Sequence, residues 1–199
     1  MLQIGDFALG APRSLAKHTH SVYNESYGVR RECVSGLDKS LHYDEFKAHV
    51  EDLMASGAVR RMRWYRHHLN VNRLEHSVSV AYLSFLVVRK LGSDARAAAR
   101  GGLLHDLFFY DRQERDSYQG SHNLTHPRIA LENAKRYFSL SSLEEEIILA
   151  HMFPVGAAAP RHVESLAVCL VDKYCAVSEF IGAYAGSALA AQVAEIVFA

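Results

Sequence analysis

A chain of 199 residues, about half apolar and 22% charged, has the makeup of one globular domain rather than a disordered or fibrous protein. Lysine plus arginine (22) equals aspartate plus glutamate (22), so the basic excess of a dedicated nucleic-acid binder is missing. The 3 cysteines, Cys33, Cys169 and Cys175, are odd in number and lack CxxC spacing, which argues for reduced thiols over a disulfide framework or a paired-cysteine zinc site.

The first stretch, 1–40, is punctuated by Gly5, Gly10, Pro12, Gly28 and Gly36 and shows no sustained period. It reads as an extended arm on the domain or on a second subunit. It lacks the basic start and apolar core of a secretory signal, so the expected location is cytoplasmic. His18 and His20 lie in it, an exposed pair with no expected role. From Ser40 or Asp44 a helix carries Phe46, Val50, Leu53 and Met54 on one face and stops at Gly57. Val59 to His68, rich in arginine and aromatics, suits a nucleic-acid patch, a helix with a solvated basic face, or the cationic rim of an anion pocket. In a neutral chain the solvated helix is preferred.

Asn70 or Asn72 caps a helix running to about Leu91 and ended by Gly92, with His76 in its first turns and Arg73 one turn earlier. Asp94 caps the next, Ala95 to about Leu107, whose Gly101-Gly102 pair costs about a kilocalorie each and implies close backbone approach or a kink. Phe108 to Thr125, holding Asp111, Asp116 and His122, is long enough for a lid. His126-Pro127 opens another helix. Ser141 or Ser142 with Glu144 opens one that reaches His151 and stops at Pro154. A long helix from about Pro160 carries Asp172 among valines and leucines, with Ser165, Cys169, Ala176 and Glu179 near its face. After Gly182 and Gly186 a small-residue helix runs to Ala199. Its longest uncharged stretch, Phe180 to Ala194, is too short and too interrupted to span a bilayer. No strand is expected, so the fold class is all-α, a single helical bundle over 41–199.

A lone helical histidine is usually a core or surface residue, and Asp172 alone could pair with Lys173 or an arginine. Here several helices each present an imidazole or a carboxylate beside apolar neighbours: His76, His105 and Asp106, His126, His151, Asp172. Buried polar groups need partners, and a metal ion satisfies imidazole and carboxylate together. Competing chemistries are absent: no P-loop, no Gly-x-Ser-x-Gly, no HExxH, and Cys169 and Cys175 sit in apolar surroundings that favour inert thiols.

The ordered pattern resembles the HD superfamily of metal-dependent phosphohydrolases, through Arg-Leu-Glu-His-Ser-Val-Ser-Val-Ala at His76, Gly-Leu-Leu-His-Asp at His105-Asp106, and Val-Asp-Lys at Asp172, over about residues 65–180. The added His126 and His151 resemble the dinuclear subset, which includes bacterial diadenosine-tetraphosphate hydrolases. The resemblance implies one ion held by His76, His105, Asp106 and Asp172, and a second bridged by Asp106 and held by His126 and His151. Two such ions share a hydroxide aimed at phosphorus. Iron or manganese is favoured, with zinc, nickel or cobalt as options. The expected activity is hydrolysis of a phosphate ester or anhydride of a small molecule, a nucleotide among the candidates. Arg73 is a candidate for a bidentate phosphate contact and Lys173 a second cation. His67, His68, His122 and Arg128 are weaker pocket candidates. The alternatives are a non-catalytic metal- or nucleotide-binding sensor, and a di-iron oxygenase. Expected partners are a small phosphorylated substrate, neither membrane nor nucleic acid, and a homodimer as one option.

Overall fold

The computed structural model describes residues 39–68, 71–114 and 120–180. The expected arm with His18, His20 and Cys33, the expected helix after Gly182, and Asp116 lie outside the described residues. The rest is an all-α bundle: α1 (Lys39–Ala55), α2 (Gly57–Arg61), α3 (Arg73–Lys90), α4 (Ala95–Leu104), α5 (His122–Tyr137), α6 (Ser142–Ala150) and α7 (Val163–Phe180). α3 is the central element, packed on α4 and α7; α4 also packs on α1 and α6, and α5 on α6.

Local chemistry sets most boundaries as expected. Asn72 caps α3 and Ser141 caps α6, each with a reciprocal Glu three residues on (Glu75, Glu144). Asp94 caps α4 by accepting from the Ala97 amide, and Gly92 supplies the left-handed residue (φ 72°) after α3. Two expectations need correction. Val59 to His68 is not one helix: α2 runs into a turn of 3₁₀ helix at Met62–Trp64, and β1 (Arg66–His68) then pairs antiparallel with β2 (Val71–Asn72). The β-branched and aromatic-flanked ends of this short hairpin were too brief to show a period of two. α5 begins at His122 rather than His126, placing Pro127 inside the helix and shortening the preceding loop.

The glycine pair on α4 is explained by close approach, not by a kink. A Cβ at Gly101 would lie 2.6 Å from Ile147 Cγ2 on α6, and one at Gly102 would lie 3.0 Å from Ala81 Cα on α3. α4 is therefore wedged between two helices, and its carboxyl end with His105-Asp106 is driven into the interior. Phe46, Phe85, Leu53, Leu74, Leu103, Leu104 and Leu107 are fully buried around it, each contributing about 1.5–3 kcal/mol. α7 is apolar on both sides: Val163, Leu166, Leu170, Tyr174, Val177 and Phe180 are exposed, while Val168, Cys169, Asp172, Cys175 and Glu179 are buried. Among the described residues no helix is long and apolar enough to cross a membrane.

Candidate metal centre

The centre is built from helix ends. α4 stops at Leu104, so His105 and Asp106 sit on the turn that follows, and His105 Nδ1 donates to the Gly102 carbonyl at 2.7 Å. α6 ends the same way: His151 Nδ1 donates to the Ile148 carbonyl at 2.7 Å. On α5, His126 Nδ1 donates to the His122 carbonyl at 3.0 Å. On α3, His76 Nδ1 donates to Glu179 Oε1 on α7 at 2.9 Å. A carbonyl or carboxylate oxygen only accepts, so each Nδ1 carries its hydrogen and each Nε2 is left as the donor atom for whatever the rings face.

What they face is the Asp106 and Asp172 carboxylates. His76 Nε2 lies 3.0 Å and His105 Nε2 3.5 Å from Asp172 Oδ1. Asp106 stands between two groups, with Oδ2 3.8 Å from His105 Nε2 and Oδ1 3.3 and 3.7 Å from the Nε2 atoms of His126 and His151. His105 Nε2 and Asp106 Oδ1 are buried with no hydrogen-bond partner, a state that costs several kilocalories unless a cation meets it. Ligands about 2.1 Å from a shared ion stand about 3.0–3.6 Å apart for angles between a right angle and 120°, and the separations here run from 3.0 to 3.8 Å. The His76–His105–Asp172 and His105–Asp106–His151 sets each hold their donor atoms within 4.8 Å of one another. These His/Asp clusters fit divalent metal ions.

The electrostatics express the same demand. Asp106 and Asp172 are both held well below the usual carboxylate range: burial opposes this, but the surrounding imidazoles outweigh it. For His76, burial favours the neutral ring, yet Asp172 and Glu179 raise its pKa to about 10, so a proton occupies the place a cation suits. His151 is driven down to about 3, by burial and by His105 and His126, which leaves its Nε2 as a lone pair.

A cavity of about 320 Å³ opens onto Asp106, Asp172, His126 and His151. Arg66, Arg112 and Lys173 bring positive charge to its wall, and Met152, Val155 and Ala176 form an apolar side. Arg73 also lines it but is buried, and its guanidinium donates to the carbonyls of Phe108 (2.7 Å) and Tyr110 (3.1 Å) with its carbon 3.6 Å from the centre of the Phe108 ring. Burial lowers its pKa to about 10 against the pull of Asp106. It therefore clamps the chain leaving the His-Asp turn, while its Nε has no hydrogen-bond partner. Lys173 Nζ donates to the carbonyls of His151 and Cys169. His122 lines the cavity, stacked on His126 at 4.6 Å, and burial lowers its pKa to about 4. Arg128 is exposed and away from the cavity lining. Cys169 and Cys175 are buried free thiols, and burial pushes the Cys175 thiol up.

Two contributors were poorly marked in sequence. Glu179 lies seven residues after Asp172, two turns along the same face of α7, and that spacing is its one signal. The β1 segment places His67 against the centre, with Nδ1 3.6 Å from Asp106 Oδ2.

Comparison with known proteins agrees with this architecture. A family model described as the HD domain matches residues 73–177, more than half of the chain. Among curated proteins, the chain is similar to proteins named Ribonuclease Y: 36% identical over 114 residues in Aliarcobacter butzleri (57% of this chain, 20% of that protein), and 34% over 101 residues in Nitratiruptor sp. (51% and 17%). Another, in Thermoanaerobacter pseudethanolicus, is 34% identical over 101 residues (51% and 18%). The chain thus spans about a fifth of the length of these relatives. No solved structure matches.

Proposed function

This chain belongs to the HD-domain family of metal-dependent hydrolases, and we propose that it hydrolyses a phosphate ester or anhydride of a small molecule, with nucleotides as the first class to try. The observation that carries the reading is the six-residue set His76, His105, Asp106, His126, His151 and Asp172 converging, with Nε2 and carboxylate oxygens inward, beneath a cation-lined cavity. His76, His105, Asp106 and Asp172 would hold one ion; His126 and His151, with Asp106 shared, would hold the second. Divalent ions bound there would supply Lewis acidity and activate water at neutral pH.

The chain's own residues supply the rest. The backbone carbonyls of Gly102, Ile148 and His122 fix the ring tautomers, so no reorientation is needed when charge develops. Arg66 and Arg112 attract the anionic substrate to the mouth. The cavity is at the lower end of small-molecule sites, which run from about 300 Å³, and its Met152–Val155–Ala176 side suits a base or other apolar leaving group.

The relatives' name favours a second reading, cleavage of RNA. The test is phosphate release by manganese-loaded, anaerobically purified protein. The substrates are p-nitrophenyl phosphate, nucleoside mono-, di- and triphosphates, a dinucleoside tetraphosphate and a short RNA, each also given to Asp106→Ala. Turnover of small phosphates, lost in Asp106→Ala, is expected. Cleavage of RNA alone would favour the second reading, and no Asp106-dependent turnover of any of them would overturn both.

A further inference from the structure

We propose that His67, which lies upstream of the family-matched residues, is a further ligand of the ion centred on His76, Asp106 and Asp172. The proposal rests on the metal-dependent reading above and extends its ligand set. Its basis is that His67 repeats the placement of His76. The two rings are stacked, centroids 3.7 Å apart and planes 22° from parallel. One carboxylate serves the far edge of both: Glu179 Oε1 accepts from His76 Nδ1 at 2.9 Å, and Glu179 Oε2 stands 4.0 Å from His67 Nε2. The opposite edges point the same way, putting His67 Nδ1 3.6 Å from Asp106 Oδ2.

Donor atoms of His67, His76 and Asp106 lie within 4.8 Å of one another. Two ligands about 2.1 Å from a common ion are 3.0–3.6 Å apart for angles between a right angle and 120°, so the separation from Asp106 is that of two ligands on one ion. Glu179 is 2% exposed and its Oε2 has no hydrogen-bond partner. A carboxylate buried this way is satisfied when His67 turns Nε2–H toward it, which commits Nδ1 to the centre. This is the outer carboxylate arrangement that raises the basicity of a metal-bound imidazole.

His67 comes from the β1–β2 hairpin, not from the helices that carry the other ligands. Position 67 precedes and Glu179 follows the matched span 73–177.

The test uses cobalt(II) titration of the metal-free full chain, followed by visible absorption and by proton NMR of the paramagnetic form. Wild type is expected to give five hyperfine-shifted, exchangeable imidazole N–H signals, from His67, His76, His105, His126 and His151. His67→Ala is expected to lose one, to weaken one cobalt-binding step by tenfold or more, and to shift the visible band, with free imidazole restoring it. Four signals in wild type, or an unchanged His67→Ala titration and spectrum, would overturn the proposal; a raised KM alone would then make His67 a substrate contact. The wild-type NMR count does not depend on the variant folding. Cobalt binding by His105→Ala equal to wild type would overturn the metal-centre reading itself.

Discussion

His126 Nε2 and His151 Nε2 are 2.8 Å apart, and both rings already donate from Nδ1 to backbone carbonyls of their own helices. At that distance one Nε2–H donates to the other Nε2, and a cation held by both rings would take that proton's place. α5 and α6 pack on one another and hold the two rings in this geometry. His126→Ala or His151→Ala is expected to remove one of two bound metal equivalents and leave the other. Elemental analysis of anaerobically purified protein measures it, and an unchanged content would sink the assignment.

Metal removal should cost stability as well. An ion that binds the folded form alone stabilises it by about 2.7 kcal/mol at a concentration a hundredfold above its Kd. Stripping the protein with a chelator is expected to lower Tm by several degrees, with recovery on adding manganese. Scanning calorimetry of stripped and reloaded protein reads this directly.

Gly102→Ala places a methyl carbon 3.0 Å from Ala81 Cα, a backbone atom that has little room to yield. Overpacking of this kind costs about 1–3 kcal/mol, which exceeds the helix-propensity gain of about 0.5–1 kcal/mol from replacing glycine. Denaturant unfolding should show a net loss. Because the Gly102 carbonyl also accepts from His105 Nδ1, metal affinity should fall with it.

Arg73 separates a structural clamp from a phosphate contact. Its two carbonyl bonds to Phe108 and Tyr110 are charge-assisted and buried, worth about 1.5–3 kcal/mol each. Arg73→Ala should therefore lower unfolding free energy by several kilocalories, and Arg73→Lys should recover part of it. A variant of wild-type stability with only a raised KM would mean that the guanidinium serves substrate instead.

Glu146 sets an acid limit at a distance from the centre. Despite burial, its carboxylate is lowered from 4.5 to about 2, because the Arg161 amide donates to it, followed by Ser165 and His162. A carboxyl depressed on folding contributes stability that is complete above its unfolded value and is lost as pH falls through its folded one. Unfolding free energy should thus decline from about pH 4.5 to pH 2, with a shallower decline in Glu146→Gln. Equal slopes in the two proteins would remove Glu146 from this role.

Much of the bundle was legible because its signals are local. A cap needs a side-chain oxygen three residues from an amide, so Asn72, Asp94 and Ser141 marked helix starts correctly. The His-Asp doublet and its distant partners were legible because charged and imidazole groups among alanines and leucines demand a partner. In sequence, Gly101-Gly102 suits a kink and a close approach equally, and nothing near Arg73 marks its carbonyl partners. Those partners are 35 and 37 residues away, beyond any local pattern.

By itself, then, the sequence determined the helical class, the starts of α3, α4 and α6, and a group of imidazoles and carboxylates that need partners when buried. Each of these depends on residue chemistry or on spacing within one turn. The tertiary structure decided which face of α7 turns inward. Leu166, Leu170 and Val177 are as apolar as Val168 and Cys169, so periodicity could not choose, and the inward side is the one carrying Asp172 and Glu179. It also decided that α2 gives way to a hairpin aiming His67 at Asp106, since a two-residue strand such as β2 is stabilised by its partner and not by its own sequence. Distances between ligands belong to the packing of α3, α4, α5, α6 and α7 together, and that packing is fixed by contacts between residues far apart in the chain.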